Sequence, residues 1–185
     1  AKGIENAAKQ RPAGFFSEAA MGLVKPGNFE DNLPEIADCD WILEAVTEDL
    51  GIKRDLWRRV EGLRRPDAIL STNTSGIPLA EISEGFSADF RKHFLGTHFF
   101  NPPRYLHLME MIPGADTDPN AIAFVSDYAD RRLGKGVVPC KDTPNFIANR
   151  IGSFFGSTIA KVMMEDGYSI EEVDALTGPL IGLPN

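Results

Sequence analysis

Five side chains stand where strand ends and a chain reversal would gather them: Glu48, Ser75, His98, Glu110 and Asn149. His98 closes one apolar run, and Glu110 lies in a second run that returns after the Asn101-Pro102-Pro103 break. On a period-2 reading Leu106, Leu108, Glu110 and Ile112 share one face, which puts a carboxylate among apolar neighbours. Burying a carboxylate unpaired costs far more than one hydrogen bond returns. His98, brought alongside by the reversal, is the natural partner. A histidine with a carboxylate on one ring nitrogen is a proton-transfer pair, and the same two residues also read as a structural link beneath the loop.

Glu48 and Ser75 each stand just beyond an expected strand, at the edge where open parallel sheets bind ligands. Glu48 reads equally well, with Asp49, as negative charge at the start of the helix that follows. Ser75 reads equally well as a turn residue bonding its own backbone. Asn149, beside Arg150, opens a helical region where an amide could meet a substrate, or could simply cap or pack. Lys53, Arg54, Arg58, Arg59, Arg64 and Arg65 read as a solvated basic face, with Lys53 the exception because it is nearest Glu48. His93 and His107 read as strand residues without a partner.

The elements that must position these groups follow from periodicity and breakers. Residues 1–9 end a helix before Pro12 and Gly14, Gly22 to Lys25 reads as a weak strand, and Asp31 to Asp38 as a short acidic helix. The run 41–46 has the length and apolarity of a strand covered on both faces. Leu50, Leu56, Val60 and Leu63 give a helix over 49–65, ended by Pro66. Strands follow at 68–72, 93–99, 106–112 and 136–141, with a short helix at 79–83 and an amphipathic one at 119–133 closed by Gly134. From Phe146 the alternation stops. Helices at 146–166 and 170–176 imply an α/β domain followed by an all-α one, with the boundary near residue 146.

A chain of 185 residues with 43% apolar and 25% charged residues can bury a core without disulfides or metal clips. The formal net charge of −8 opposes attraction to phosphate backbones and anionic membrane surfaces, so neither nucleic acid nor membrane insertion is expected. No apolar run reaches the roughly 18 residues of a membrane span, and a cytoplasmic setting is the expectation. Cys39 and Cys140 have no C-x-x-C or His-spaced partner, so they read as reduced core thiols rather than zinc ligands. The sequence holds no G-x-G-x-x-G, and spacing alone yields no complete dinucleotide site.

The runs E-A-V-T-E-D at 44–49, S-T-N-T-S at 71–75, G-T-H-F-F-N-P at 96–102, M-E-M-I at 109–112 and C-K-D-T-P-N-F-I-A-N-R at 140–150 together resemble the 3-hydroxyacyl-CoA dehydrogenase family. H-F-F-N-P-P-R-Y with D-T-P-N-F is most similar to its long bacterial multifunctional members. The resemblance implies a Rossmann-like α/β domain, mostly parallel with antiparallel edge strands at 106–112 and 136–141, over residues 1–146. The start of an all-α domain then occupies 147–185. It implies NAD-dependent oxidation of (3S)-3-hydroxyacyl-CoA to 3-oxoacyl-CoA, with acyl-CoA as substrate and a homodimer as the assembly. His98 would be the catalytic base, Glu110 its orienting carboxylate, and Ser75 and Asn149 substrate ligands. Val46, Thr47, Glu48, Lys53, Ser75 and Asn101 would contact NAD.

The same resemblance places a first strand, a Gly-rich loop and an adenosine-ribose carboxylate ahead of Ala1, and most of the helical domain after Asn185. The chain thus reads as a piece of a longer protein. Residues 1–20 match the family's CoA-contacting hairpin too weakly to carry roles across, and Asn145 stands where many members have Gly. The alternative is a non-catalytic structural or CoA-ester-binding relative of the same fold, against which the joint presence of His98, Glu110, Ser75 and Asn149 argues.

Overall fold

The computed structural model describes residues 2–182. The chain divides into two compact units, Ala1–Thr143 and Pro144–Asn185; Ala1 and residues 183–185, which the expected segments include, lie outside the described residues. In the first unit the order is α1 (Lys2–Lys9), α2 (Glu18–Met21), a 3-10 turn (Leu33–Asp38), β1 (Trp41–Glu44), α3 (Leu50–Glu61) and β2 (Ile69–Thr72). Then come α4 (Leu79–Ser83), α5 (Ala88–His93), β3 (Phe94–Phe99), β4 (Leu108–Pro113), α6 (Pro119–Leu133) and β5 (Gly136–Pro139). The five strands form one sheet in the order β1-β2-β3-β4-β5. β1, β2 and β3 are parallel, β4 is antiparallel to β3, and β5 is parallel to β4. This is the mostly parallel, Rossmann-like α/β sheet with reversed edge strands that the sequence leads one to expect.

Alternation along the central strands sorts side chains onto two covered faces, whereas the edge strands stay partly open: Leu43 of β1 is 41% exposed and Val138 of β5 37%, so the run at 41–46 is not covered on both faces as expected. Ile69, Leu95, Met109 and Met111 join Ala121, Val125 and Ala129 of α6 in one core. On the other face Trp57 of α3 meets Phe90 and Phe94 edge-on at 5.7 and 5.4 Å, and Phe86, Phe90 and Phe94 stack in series. Such aromatic pairs contribute about 0.5–1.5 kcal/mol each beyond area burial. Leu79 and Ile82 pin α4 against this face, both fully buried. Gly96 makes that approach possible, since a Cβ there would stand 3.0 Å from Ile112 Cβ and 3.3 Å from Leu79 Cδ1.

The second unit holds α7 (Ala148–Asp166), α8 (Ile170–Thr177) and a 3-10 turn (Pro179–Ile181). Gly167, at φ +74°, closes α7, and Ser169 with Glu172 forms a reciprocal capping box at the start of α8.

Several expected elements differ. Gly22 to Lys25 is not a strand: its N–H groups close back onto Ala19, Ala20 and Met21 carbonyls, and Leu23 is 87% exposed, so nothing pairs with it. α3 ends at Gly62, before Pro66, because the Leu63 and Arg64 N–H groups both turn onto the Val60 carbonyl. α5 was absent from the expectation, although Ser87 caps it by accepting from Phe90 N at 3.0 Å. His93 consequently ends a helix instead of opening a strand. α7 starts at Ala148 rather than Phe146 because Asn145 and Phe146 take φ values of +62° and +47°. Asparagine enters that left-handed region more readily than most residues.

Candidate active site

β1, β2 and β3 end along one edge, and three loops leave it: 45–49, 73–78 and 100–107. His98 lies on β3 directly opposite Glu110 on β4, in register. Both side chains are buried, 5% and 1% exposed, and His98 Nδ1 stands 2.8 Å from Glu110 Oε2. The other ring nitrogen, Nε2, is 3.0 Å from Ser75 Oγ. Phe100 closes edge-on over the imidazole, with ring centroids 4.6 Å apart. Carboxylate, imidazole and hydroxyl therefore form one line running from the sheet interior to the ligand edge. The carboxylate fixes the ring, and Nε2 faces the Ser75 hydroxyl at the ligand edge.

Serine, histidine and carboxylate in line also describe an acyl-transfer nucleophile. That chemistry needs backbone N–H groups aimed at a developing oxyanion. Here the N–H groups of Ser75 and Gly76 both donate to Glu48 Oε1 at 2.9 Å. The arrangement thus holds Ser75 as a hydrogen-bonding group beside a base.

Glu48 holds the Ser75 loop more than it serves α3, whose N-cap is Asp49 accepting from Ile52 N at 2.9 Å. Besides the two backbone donors, Glu48 Oε1 accepts from Thr74 Oγ1 at 2.5 Å, and Glu48 Oε2 lies 3.3 Å from Lys53 Nζ. Burial alone would raise its pKa; hydrogen bonds from Thr74, Gly76 and Ser75, with the Lys53 charge, outweigh that and bring it down to about 2.

Lys53 is not on a solvated face. Its side chain is 1% exposed, with Nζ 2.9 Å from Glu44 Oε1 and 3.3 Å from the Val46 carbonyl. Arg54, Arg64 and Arg65 likewise pair with Glu84, Asp89 and Asp40, and only Arg58 and Arg59 keep a largely open position. Glu44, which the sequence reading passed over as part of an apolar run, is 4% exposed; its Oε1 also accepts from Val46 N at 2.6 Å and its Oε2 from Thr72 Oγ1 at 2.7 Å. A buried strand carboxylate needs a partner, and the physical ground that points to Glu110 points equally to Glu44. Asn73 is a second omission: its Oδ1 accepts from Phe99 N at 2.9 Å and ties the Ser75 loop to the end of β3.

Val46, Thr47 and Asn101 follow β1 and β3 at the same edge, with Thr47 and Asn101 exposed. Asn149 is half-buried on the first turn of α7, within the second unit. His107, just ahead of β4, places Nδ1 3.0 Å from the Gly134 carbonyl. Cys39 and Cys140 are both free. Burial, the Glu110 charge and a hydrogen bond to Glu110 push the Cys140 thiol up to about 11, so it stays protonated at neutral pH. Among the described residues no group of three His, Cys, Asp or Glu is arranged to hold a metal ion, and no helix is long and apolar enough to cross a membrane.

A parallel β1–β3 edge whose loops carry hydroxyl and amide groups, beside a buried His–carboxylate pair on β3 and β4, defines a Rossmann-like dinucleotide-binding domain. The chain belongs to the family described as 3-hydroxyacyl-CoA dehydrogenase, NAD binding domain, which residues 1–143 match. It is 48% identical to a Bacillus subtilis protein named "Probable 3-hydroxyacyl-CoA dehydrogenase" over 95% of this chain and 22% of that protein. It is also 48% identical to a Deinococcus radiodurans protein of the same name, over 97% of this chain and 52% of that one. The chain thus spans between about a fifth and about half of the length of these two relatives. Among solved structures, the 3-hydroxyacyl-CoA dehydrogenase of Archaeoglobus fulgidus superimposes with a TM-score of 0.74 at 34% identity, covering 94% of this chain and 56% of that one.

NAD is the cofactor of this family. The chemistry of the donor set at the edge fits a dinucleotide. Thr47, Ser75 and Asn101 offer neutral hydroxyl and amide groups suited to a carboxamide and ribose hydroxyls. The two carboxylates nearby, Glu44 and Glu48, are offset by Lys53 and by backbone donors, so the edge does not confront a dinucleotide with unbalanced negative charge.

Proposed function

We propose that this chain carries the base and the nicotinamide-side contacts of an NAD-dependent dehydrogenase that oxidises (3S)-3-hydroxyacyl-CoA to 3-oxoacyl-CoA. The observation that carries the reading is the buried line Glu110–His98–Ser75, ending at the ligand edge of a dinucleotide-binding sheet. His98 Nε2 takes the proton of the substrate's 3-hydroxyl. Glu110 keeps the ring oriented and stabilises the positive charge that develops on it. Ser75 donates a hydrogen bond to the same substrate oxygen and holds it beside His98. When bound, NAD supplies the acceptor for the hydride leaving carbon 3. An alkyl hydroxyl ionises far above neutral pH, so His98 must act as the hydride departs rather than before.

Val46, Thr47, Glu48, Ser75 and Asn101 are assigned to NAD. Lys53 supports the same site from below through Glu48, and Asn149 is assigned to the acyl-CoA from the helical unit. A homodimer is the assembly proposed.

The test is NADH appearance at 340 nm with 3-hydroxybutyryl-CoA, in the full chain and in His98→Gln. The substitution should lower kcat by roughly 10²–10⁴, the usual share of a general base. An unchanged kcat in a folded His98→Gln protein would remove this mechanism.

A further inference from the structure

Ser75 lies on a loop that two carboxylates from distant parts of the chain hold, one around Ser75 itself and one at the loop's exit. Asn73 N donates to the Glu44 carbonyl at 2.8 Å, and Glu48 gathers donors from residues 74, 75, 76 and 77. At its exit the loop enters α4 through Pro78, which occupies the N-cap position and makes no side-chain cap. The first N–H groups of a helix have no partner within it, and a helix of five residues adds little cooperativity of its own.

The missing partner arrives from 63 residues further along the chain: Asp142 Oδ1 accepts from Leu79 N at 2.9 Å. Its Oδ2 accepts from Ala80 N at 3.0 Å. Asp142 is itself well placed to act as an anchor. It follows β5 closely, and the ladder continues past that strand through Cys140 N donating to the Met111 carbonyl at 2.8 Å. Both oxygens of this carboxylate are taken up by the helix start that fixes the exit of the Ser75 loop.

We infer that Asp142 is a positioning residue: by fixing the first turn of α4 it sets where Ser75 Oγ meets His98 Nε2. The inference rests on the role proposed for Ser75. A displacement of reacting groups by about 1 Å can cost 10²-fold in rate, so loosening one of two anchors should be visible in kcat.

The experiment compares Asp142→Asn, Asp142→Ala, Ser75→Ala and the Asp142→Ala/Ser75→Ala double variant in the full chain, with NAD and 3-hydroxybutyryl-CoA. It also follows the titration of the His98 ring by nitrogen NMR without ligands. Asp142→Ala should lower kcat roughly 10- to 100-fold, a larger factor than any change in KM for NAD. Asp142→Asn, which keeps one acceptor oxygen, should lose less. The double variant should be no slower than Ser75→Ala, because both changes remove the same alignment. The His98 titration midpoint should move in Asp142→Ala.

Full additivity in the double variant overturns the inference. So does a kcat loss that only tracks the folded fraction, or an unmoved His98 titration. If Asp142→Ala does not fold, Asp142→Asn decides by the same criteria. If the unsubstituted chain does not oxidise the substrate, the functional reading falls on its own, and the ring titration alone upholds or overturns Asp142.

Discussion

Two ionic clusters lie along the same sheet edge and are built differently. In the one between β3 and β4, Glu110 faces His98, and the far side of the ring ends at a hydroxyl on the ligand edge. In the one between β1 and α3, Lys53 sits between Glu44 and Glu48, and hydrogen bonds from Thr72, Val46, Thr74, Ser75 and Gly76 occupy the carboxylates. A cluster whose members are all paired and saturated resists any change of charge. A cluster with one titratable member exposed to a substrate at one atom can pass a proton. The second cluster therefore serves the first: its Glu48 holds the loop from which Ser75 reaches His98.

Substitutions should separate the two. The largest effect is expected from Lys53→Met, which leaves two carboxylates without their buried cation. Breaking such a pair typically costs about 3–5 kcal/mol, so denaturant unfolding should show a loss of that order. Full stability in Lys53→Met would mean that the β1/α3 cluster is not the fixed one.

Next comes Glu110→Gln, in which the amide can still meet His98 Nδ1 but carries no charge. Rate should fall by roughly 10² or more while KM changes little, in line with losing stabilisation of a charged ring in the transition state. Lost folding with normal specific activity in the folded fraction would make this cluster structural as well.

The smallest effect is expected in acid. Glu48 has its pKa depressed to about 2 in the folded chain, and an unfolded glutamate titrates near 4.3. Its contribution is thus fully present above about pH 5 and is lost as pH falls through the folded value near 2. The side chain is 42% exposed, so solvent screening reduces the contribution well below what the shift implies. Glu48→Gln should flatten stability between about pH 5 and pH 2 relative to the unsubstituted chain. An identical acid profile would place the hydrogen bonds of this loop outside the stability of the fold.

The His98–Glu110 pairing was legible because it needs only local facts: period-2 alternation, a Pro-Pro reversal between two apolar runs, and the cost of a lone buried carboxylate. The alternation of strands with helices was legible for the same reason, since strand-length runs alternated with helical periods, whereas the sheet order came only with the structure. Glu48 was ambiguous because its partners are donors in a turn 26 to 28 residues away, and nothing in its own neighbourhood announces them. Lys53 was one of six basic residues on the helix expected over 49–65, and its buried place between Glu44 and Glu48 singles it out. The false strand at Gly22 to Lys25 shows the converse. Local propensity favoured extension, but a strand without a partner ladder leaves its backbone groups to turn elsewhere, here onto α2.

What the sequence determined by itself was the kind of layers, the direction of the chain through them, and the pairing of His98 with Glu110, all of which rest on side-chain periodicity and on interactions between adjacent strands. What only the tertiary structure decided was the support of that pair: Glu44 beneath Lys53, Glu48 across to the Ser75 turn, and Asp142 at the start of α4. Each of these is a contact between backbone donors or charges far apart in the chain, and its existence depends on how the sheet closes the distance rather than on any spacing in the sequence.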